Sequence, residues 1–171
     1  MRTALVATAV AASLISAGTT GVVGASARID EPLLKDLRAA TARFHSLAQA
    51  KDAGYVQGSP CEASPRGGMG FHYINPALMA NPAIDPFHPE ILLYEPKKNG
   101  QLRLVGVEYL TFDADQSLAT DNDRPFLGVV PFEGPMPGHT PQMPVHYDLH
   151  VWLFKENPDG VYATWNPDVT C

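Results

Sequence analysis

The stretch Leu102-Arg103-Leu104-Val105-Gly106-Val107-Glu108-Tyr109-Leu110-Thr111-Phe112 is the longest run in the chain with strand character. It alternates with a two-residue period and is rich in β-branched and aromatic side chains. Alternation places Leu102, Leu104, Gly106, Glu108, Leu110 and Phe112 on one face, which is apolar except for Glu108. A carboxylate on such a face has to be paired, protonated or bound to a metal ion, because leaving it bare costs several kcal/mol. The structural alternative is an ion pair with an arginine such as Arg103 or Arg124.

A second strand candidate carries more polar groups. In Val145–Phe154, His146, Asp148, His150 and Trp152 share one face. His146 and His150 have the i, i+4 spacing of a helical metal site, but in a straight strand they lie roughly 13 Å apart. Either a bulge brings both to one ion, or one of them binds while Asp148 orients it.

Working outward, Tyr55–Gln57, Gly70–Ile74, Ile91–Glu95, Phe126–Val130 and Val161–Trp165 read as further strands cut by proline and glycine. The turn signal Asn157-Pro158-Asp159-Gly160 predicts a hairpin between Val145–Phe154 and Val161–Trp165. Asn75–Pro89 holds four prolines and reads as a turn or one short helical segment, then extended loop. Before the strands, Asp30-Glu31-Pro32 opens a helix, and Leu33, Leu37, Ala40, Phe44, Leu47 and Ala48 continue it at helical spacing to a stop at Gly54. The expectation is α+β: an amphipathic helix, Pro32 to Ala53, packed on a curved, mainly antiparallel sheet. His45, at the edge of the helical stripe, reads as a surface residue.

The start of the chain reads as an export signal. Arg2 is followed by an apolar stretch from Ala4 to Ala17 and by Ala25-Ser26-Ala27, an A-x-A cleavage pattern. The expected organisation is a signal peptide over 1–27 and a single domain over 28–171, delivered to the envelope or secreted, with no later membrane span. Among 171 residues there are 18 Asp and Glu against 12 Lys and Arg, 11 once Arg2 leaves, giving the mature chain a net charge of −7. That balance, with its scattered basic residues, argues against nucleic acid as partner. Export also means an oxidising compartment, where Cys61 and Cys171 are expected to pair and close a loop of about 110 residues.

Three Met-x-x-His spacings add a softer signal: Met69 to His72, Met136 to His139 and Met143 to His146. The last two are both Met-Pro-x-His, seven residues apart. Thioether with imidazole suits copper, although proline-rich loops also reuse similar turns and Met fills irregular gaps. Harder ligands (His72, Glu108, His150) suit zinc or iron. Glu95, at the end of Ile91–Glu95, is either a general base or a solvated edge residue. Gly67-Gly68-Met69-Gly70 lacks the lysine of a phosphate-binding loop, and no GxSxG nucleophile motif is present.

Several strings, Gly70-Phe71-His72-Tyr73, Leu92-Leu93-Tyr94-Glu95-Pro96, Leu104-Val105-Gly106-Val107-Glu108-Tyr109, Met143 through His150 and Trp165 through Cys171, resemble a group of uncharacterised exported bacterial proteins. The resemblance spans about Thr41 to Cys171. It implies export, and it implies no activity, cofactor or site residue.

The functional expectation is one mononuclear zinc, iron or copper site built from His72, Glu108 and one or both of His146 and His150. Asp148, Glu95 and Met143 assist it, in a metal-dependent enzyme or a metal-binding protein. The alternative is a metal-free module whose sheet concavity, lined by Tyr73, Tyr94, Tyr109, Trp152 and Phe154, holds a small apolar ligand.

Overall fold

A computed structural model describes residues 24–171, with side chains from residue 31. The signal segment read over 1–27 therefore lies outside the described residues, save for the backbone of its last four positions.

The helical region comes in three pieces: α1 (Gly24–Thr41), a 3-10 turn (Ala42–His45) and α2 (Leu47–Asp52). The single helix expected over Pro32–Ala53 is corrected here. Thr41 turns its hydroxyl back onto the Leu37 carbonyl at 2.7 Å, a bond that competes with helix continuation. Ser46 then caps α2 by accepting from the Gln49 N–H at 3.4 Å. Leu34, Leu37, Phe44 and Ala50 all face one apolar core.

That core is one side of a curled antiparallel sheet of six strands, in the order β1-β2-β3-β4-β8-β7. The strands are β1 (Val56–Ser64), β2 (Gly67–Ile74), β3 (Ile91–Pro96), β4 (Leu102–Phe112), β7 (Glu133–Met136) and β8 (His146–Val151). Between β2 and β3 lies a short helix, α3 (Pro76–Met79), capped by Asn75 through the N–H groups of Ala77 and Leu78. Phe126–Leu127 (β5) and Val130–Pro131 (β6) form a separate two-stranded hairpin, where the sequence predicts one strand over Phe126–Val130.

The predicted hairpin after Val145–Phe154 does not form. The turn closes, with Gly160 N–H on the Asn157 carbonyl at 3.0 Å. The chain beyond it continues as turns, held by Asn157 Nδ2 on the Trp165 carbonyl and Trp152 Nε1 on the Ala163 carbonyl. β8 pairs instead with β4 and β7.

The two sheet faces differ sharply. One carries Tyr73, Leu92, Tyr94, Leu104, Val107, Tyr109, Leu149 and Val151 against the helices. The other carries the smaller cluster Ile91, Leu93, Val105, Leu110, Trp152 and Val169. A bulge in β4 assigns its residues to these faces. Leu93 pairs with Gly106 and Tyr94 with Leu104, so Val105 is an extra residue. The uniform alternation expected over 102–112 is corrected accordingly, since an extra residue resets which side each neighbour faces. Leu104 joins the helix-covered core, whereas Glu108 stays opposite it.

The aromatic residues of the alternative reading divide: Trp152 and Phe154 line a surface groove, whereas the three tyrosines are packed. Tyr73, Tyr94 and Tyr109 are buried core residues, and the hydroxyls of Tyr94 and Tyr109 donate to the backbone carbonyls of Phe44 and Pro86, each at 2.6 Å. Cys61 and Cys171 form the expected disulfide, with Cα atoms 5.6 Å apart. The C-terminal segment it secures also bonds to β2, with Gly68 and Asn166 exchanging backbone bonds at 3.1 Å.

Candidate metal centre

β4 and β8 pair in the register Phe112 with His146, Leu110 with Asp148 and Glu108 with His150. This sets Glu108 and His150 directly opposite each other on the face away from the helices. His72 comes from β2, opposite Leu93 of β3, and its ring reaches across β3 toward Glu108. The curl of the sheet brings the tips together: His72 Nε2 lies 3.3 Å from Glu108 Oε2, and His150 Nε2 lies 3.7 Å from the same oxygen. One donor atom from each of the three residues falls within 4.8 Å of the others. Ligands at about 2.0–2.2 Å from a tetrahedral ion stand roughly 3.3–3.6 Å apart. The group is therefore able to hold a metal ion with little adjustment.

The protonation states favour a cation at the centre. Ser59 Oγ donates its hydrogen to the Pro60 carbonyl at 2.7 Å and lies 3.0 Å from His72 Nδ1. With its hydrogen committed, Ser59 accepts from His72 Nδ1–H, which leaves Nε2 as a lone pair facing Glu108. Burial, with the charge of His139 as a smaller cause, lowers the pKa of His72 to about 4. Burial likewise lowers His150 to about 3, helped by His72 and His139. Both imidazoles are then neutral at pH 7. Glu108 is pushed well above the usual carboxylate range by burial and by the charges of Asp148 and Glu90.

Glu108 Oε2 and His150 Nε2 are buried with no hydrogen-bond partner among the described residues. A divalent cation between the three residues would satisfy all three donor atoms at once. The arginine pairing considered for Glu108 is absent. Arg103 pairs with Glu95, and Arg124 binds Asp121 and the carbonyls of Phe132 and Gly134.

The remaining expected site residues divide. His146, 0% exposed, does not join the triad; it lies with His139 and Asp148 in a second group whose donors also fall within 4.8 Å. Neither a bulge in β8 nor a shared ion unites His146 and His150, because the straight pairing of β8 with β4 holds them four residues apart. Asp148 sits between the groups, Oδ1 3.9 Å from His150 Nδ1 and Oδ2 3.9 Å from His146 Nε2. Burial, then the charge of Glu133, raises its pKa to about 7. Glu95 is corrected: it is a buried ion-pair residue held by Arg103 and by Lys155 at 2.6 Å, away from the triad. Met143 packs against the cluster on the triad's side of the sheet, and its sulfur accepts from the His139 N–H at 3.4 Å.

Sequence reasoning left out Ser59 and the buried Glu90, which accepts from the Leu110 N–H; neither carries a motif. His139 was visible in its Met-Pro-x-His spacing but had no strand to place it. Two surface grooves, of about 640 Å³ beside the disulfide and about 320 Å³ beside Phe154 and Lys155, are not lined by any triad residue.

Fold and site together define an α+β protein with a two-histidine, one-carboxylate group able to hold a metal ion. The chain matches no family model, and comparisons with curated proteins and with solved structures return no match.

Proposed function

We propose that this chain is an exported metalloprotein in which His72, Glu108 and His150 hold one zinc or ferrous ion. The observation that carries this reading is the convergence of two neutral imidazole nitrogens on one buried carboxylate oxygen, at 3.3 and 3.7 Å. Imidazole and carboxylate suit zinc, and two histidines with one carboxylate are also the facial set of non-haem ferrous sites. Three protein donors leave a coordination position for water or a small ligand, the ligand count of a catalytic rather than a closed structural zinc site. An ion there would act as a Lewis acid toward a small molecule or lower the pKa of its bound water. Ser59 fixes the tautomer of His72, and Asp148 Oδ1, 3.9 Å from His150 Nδ1 and beyond hydrogen-bond reach, adds a nearby carboxyl group.

Export is supported by the signal pattern ending at Ala25-Ser26-Ala27, by the strings resembling exported bacterial proteins and by the disulfide, which fits an oxidising compartment. No helix among the described residues is long and apolar enough to cross a membrane.

The test is elemental analysis of untagged protein purified from its exported fraction without chelator, with His72→Ala and His150→Ala alongside. Near-stoichiometric zinc or iron, lost in folded variants, is the expected result. Protein that is metal-free and fails to take up either ion when supplied contradicts the proposal.

A further inference from the structure

We propose that the chain carries a second metal site, for copper, formed by His139, His146 and Asp148 with the Met143 thioether beside it. This site stands on its own residues and does not require the triad to be occupied.

Its geometry repeats the logic of the triad with a different donor set. His146 is fully buried on β8, and its Nε2 has no hydrogen-bond partner among the described residues. Nδ1 of the same ring lies 3.3 Å from the Pro144 carbonyl. A carbonyl only accepts, so Nδ1 carries the hydrogen and Nε2 presents its lone pair, 3.9 Å from Asp148 Oδ2. His139 supplies the third donor from the solvent side, with its ring edge-on to His146 at 4.9 Å between centroids.

Two copies of Met-Pro-x-His, Met136 to His139 and Met143 to His146, fold against each other to make this arrangement. Met136 pairs with His146 where β7 meets β8. Across the connecting loop, Met143 Sδ accepts from the backbone N–H of His139, which ties the thioether to the segment that carries one of the two imidazoles. The crossing needs glycine at 138, because a Cβ there would stand 1.9 Å from the Met143 carbonyl oxygen. A repeated motif that a turn alone would explain has no need to aim both histidines at one buried carboxylate.

The donor set selects the metal. Copper heads the affinity order for divalent ions at nitrogen and oxygen sites, and a thioether favours its cuprous form. The triad has no sulfur donor among its three residues. Asp148 also connects the two sites, since its second oxygen lies 3.9 Å from His150 Nδ1.

The experiment titrates the metal-free, disulfide-bonded protein with cuprous ion, using a chromogenic chelator as competitor and ascorbate to keep the copper reduced. Zinc uptake is measured in parallel. His139→Ala, in an exposed loop, and Met143→Leu, similar in volume, are the test variants, with His72→Ala as the control. The expected result is one copper ion per chain that His139→Ala loses and Met143→Leu weakens, while His72→Ala retains it and zinc uptake by the His139 variant is unchanged. Copper retained by His139→Ala but lost from His72→Ala would place it in the triad and overturn the proposal. Failure of the wild-type protein to compete for copper overturns it equally. Loss of zinc binding in His72→Ala bears on the triad alone.

Discussion

His72 Nε2 and Glu108 Oε2 stand 3.3 Å apart although their strands are not neighbours, because β3 runs between β2 and β4. Two long side chains lean over the intervening strand to meet, and Ser59 holds the far side of the imidazole so that the lone pair faces the carboxylate. A buried imidazole lone pair facing a carboxylate is costly unless a proton or a metal ion lies between them. The predictions below follow from that cost.

Glu108→Gln exchanges a buried carboxylate for a neutral group of nearly the same shape. In metal-free protein the variant is expected to be about as stable as wild type, because burial already holds Glu108 neutral there and the amide nearly matches its shape. Zinc should raise the stability of wild type by about 2.7 kcal/mol at a free concentration one hundred times its Kd, and should raise the variant far less. Denaturant titrations with and without zinc read both effects. An equal zinc response in the two proteins would remove Glu108 from the site.

Stability should depend on pH in a way that zinc changes. His72 and His150, lowered to about 4 and about 3, contribute stability that is complete above 6.5 and lost as pH falls through those values. Asp148 and Glu90, both raised to about 7, contribute stability present below their ordinary values of 3.8 and 4.5 and lost as pH rises through 7. Above pH 6.5 only the carboxylates still change, so metal-free protein is expected to lose stability from there to about pH 8. Bound zinc stabilises the Glu108 carboxylate, and its stabilising effect should grow over the same interval. A metal-free stability that rises over this range would contradict the assignment of buried, uncompensated carboxylates.

Ser59→Ala removes the acceptor of His72 Nδ1–H without touching the ion. Loss of such an orienting partner typically costs about 10- to 100-fold in metal affinity. Competition with a zinc chelator should show that fall, with near-wild-type unfolding of the metal-free variant. An unchanged affinity would mean that packing alone orients the ring.

Reducing the Cys61–Cys171 bridge frees a C-terminal segment whose Asn166 and Val169 pack on β2 beside Gly68. A loop of this length corresponds to about 4–5 kcal/mol in the chain-entropy treatment. Cys61→Ser with Cys171→Ser should therefore lower the urea midpoint substantially. The cross-link acts on the unfolded chain, so if the double variant folds, it should retain zinc uptake. A midpoint within error of wild type would show that the bridge contributes nothing of that size.

Gly70 has φ +89°, and a Cβ there would stand 2.3 Å from the Tyr94 carbonyl oxygen. Gly70→Ala is expected to disturb β2 against β3 and lower thermal stability, while Gly100→Ala, with positive φ but open space, should cost less. Equal losses would show that backbone conformation, not the close approach, sets the requirement at position 70.

The sheet was legible where alternation is long. Leu102–Phe112 is the strand expected, and Glu108 and His150 each stood out on their own strand, but their cross-strand partnership is set by register. Ser46 and Gln49 were a readable capping signal that divides the predicted helix. The bulge at Val105 was not legible, because only the partner strand reveals an extra residue. β7 was hidden by Gly134 and Pro135, residues that usually mark loops. The separation of His146 from the triad likewise depends on register, which fixes side-chain position in space and has no signature in spacing alone.

The most direct measurement is anomalous diffraction, at the zinc absorption edge, from crystals of the metal-free protein soaked with zinc. The account predicts a peak at coordination distance, about 2.0–2.2 Å, from His72 Nε2, Glu108 Oε2 and His150 Nε2 together. Zinc-soaked crystals with no peak at that point, and with Glu108 hydrogen-bonded directly to one imidazole, would contradict it.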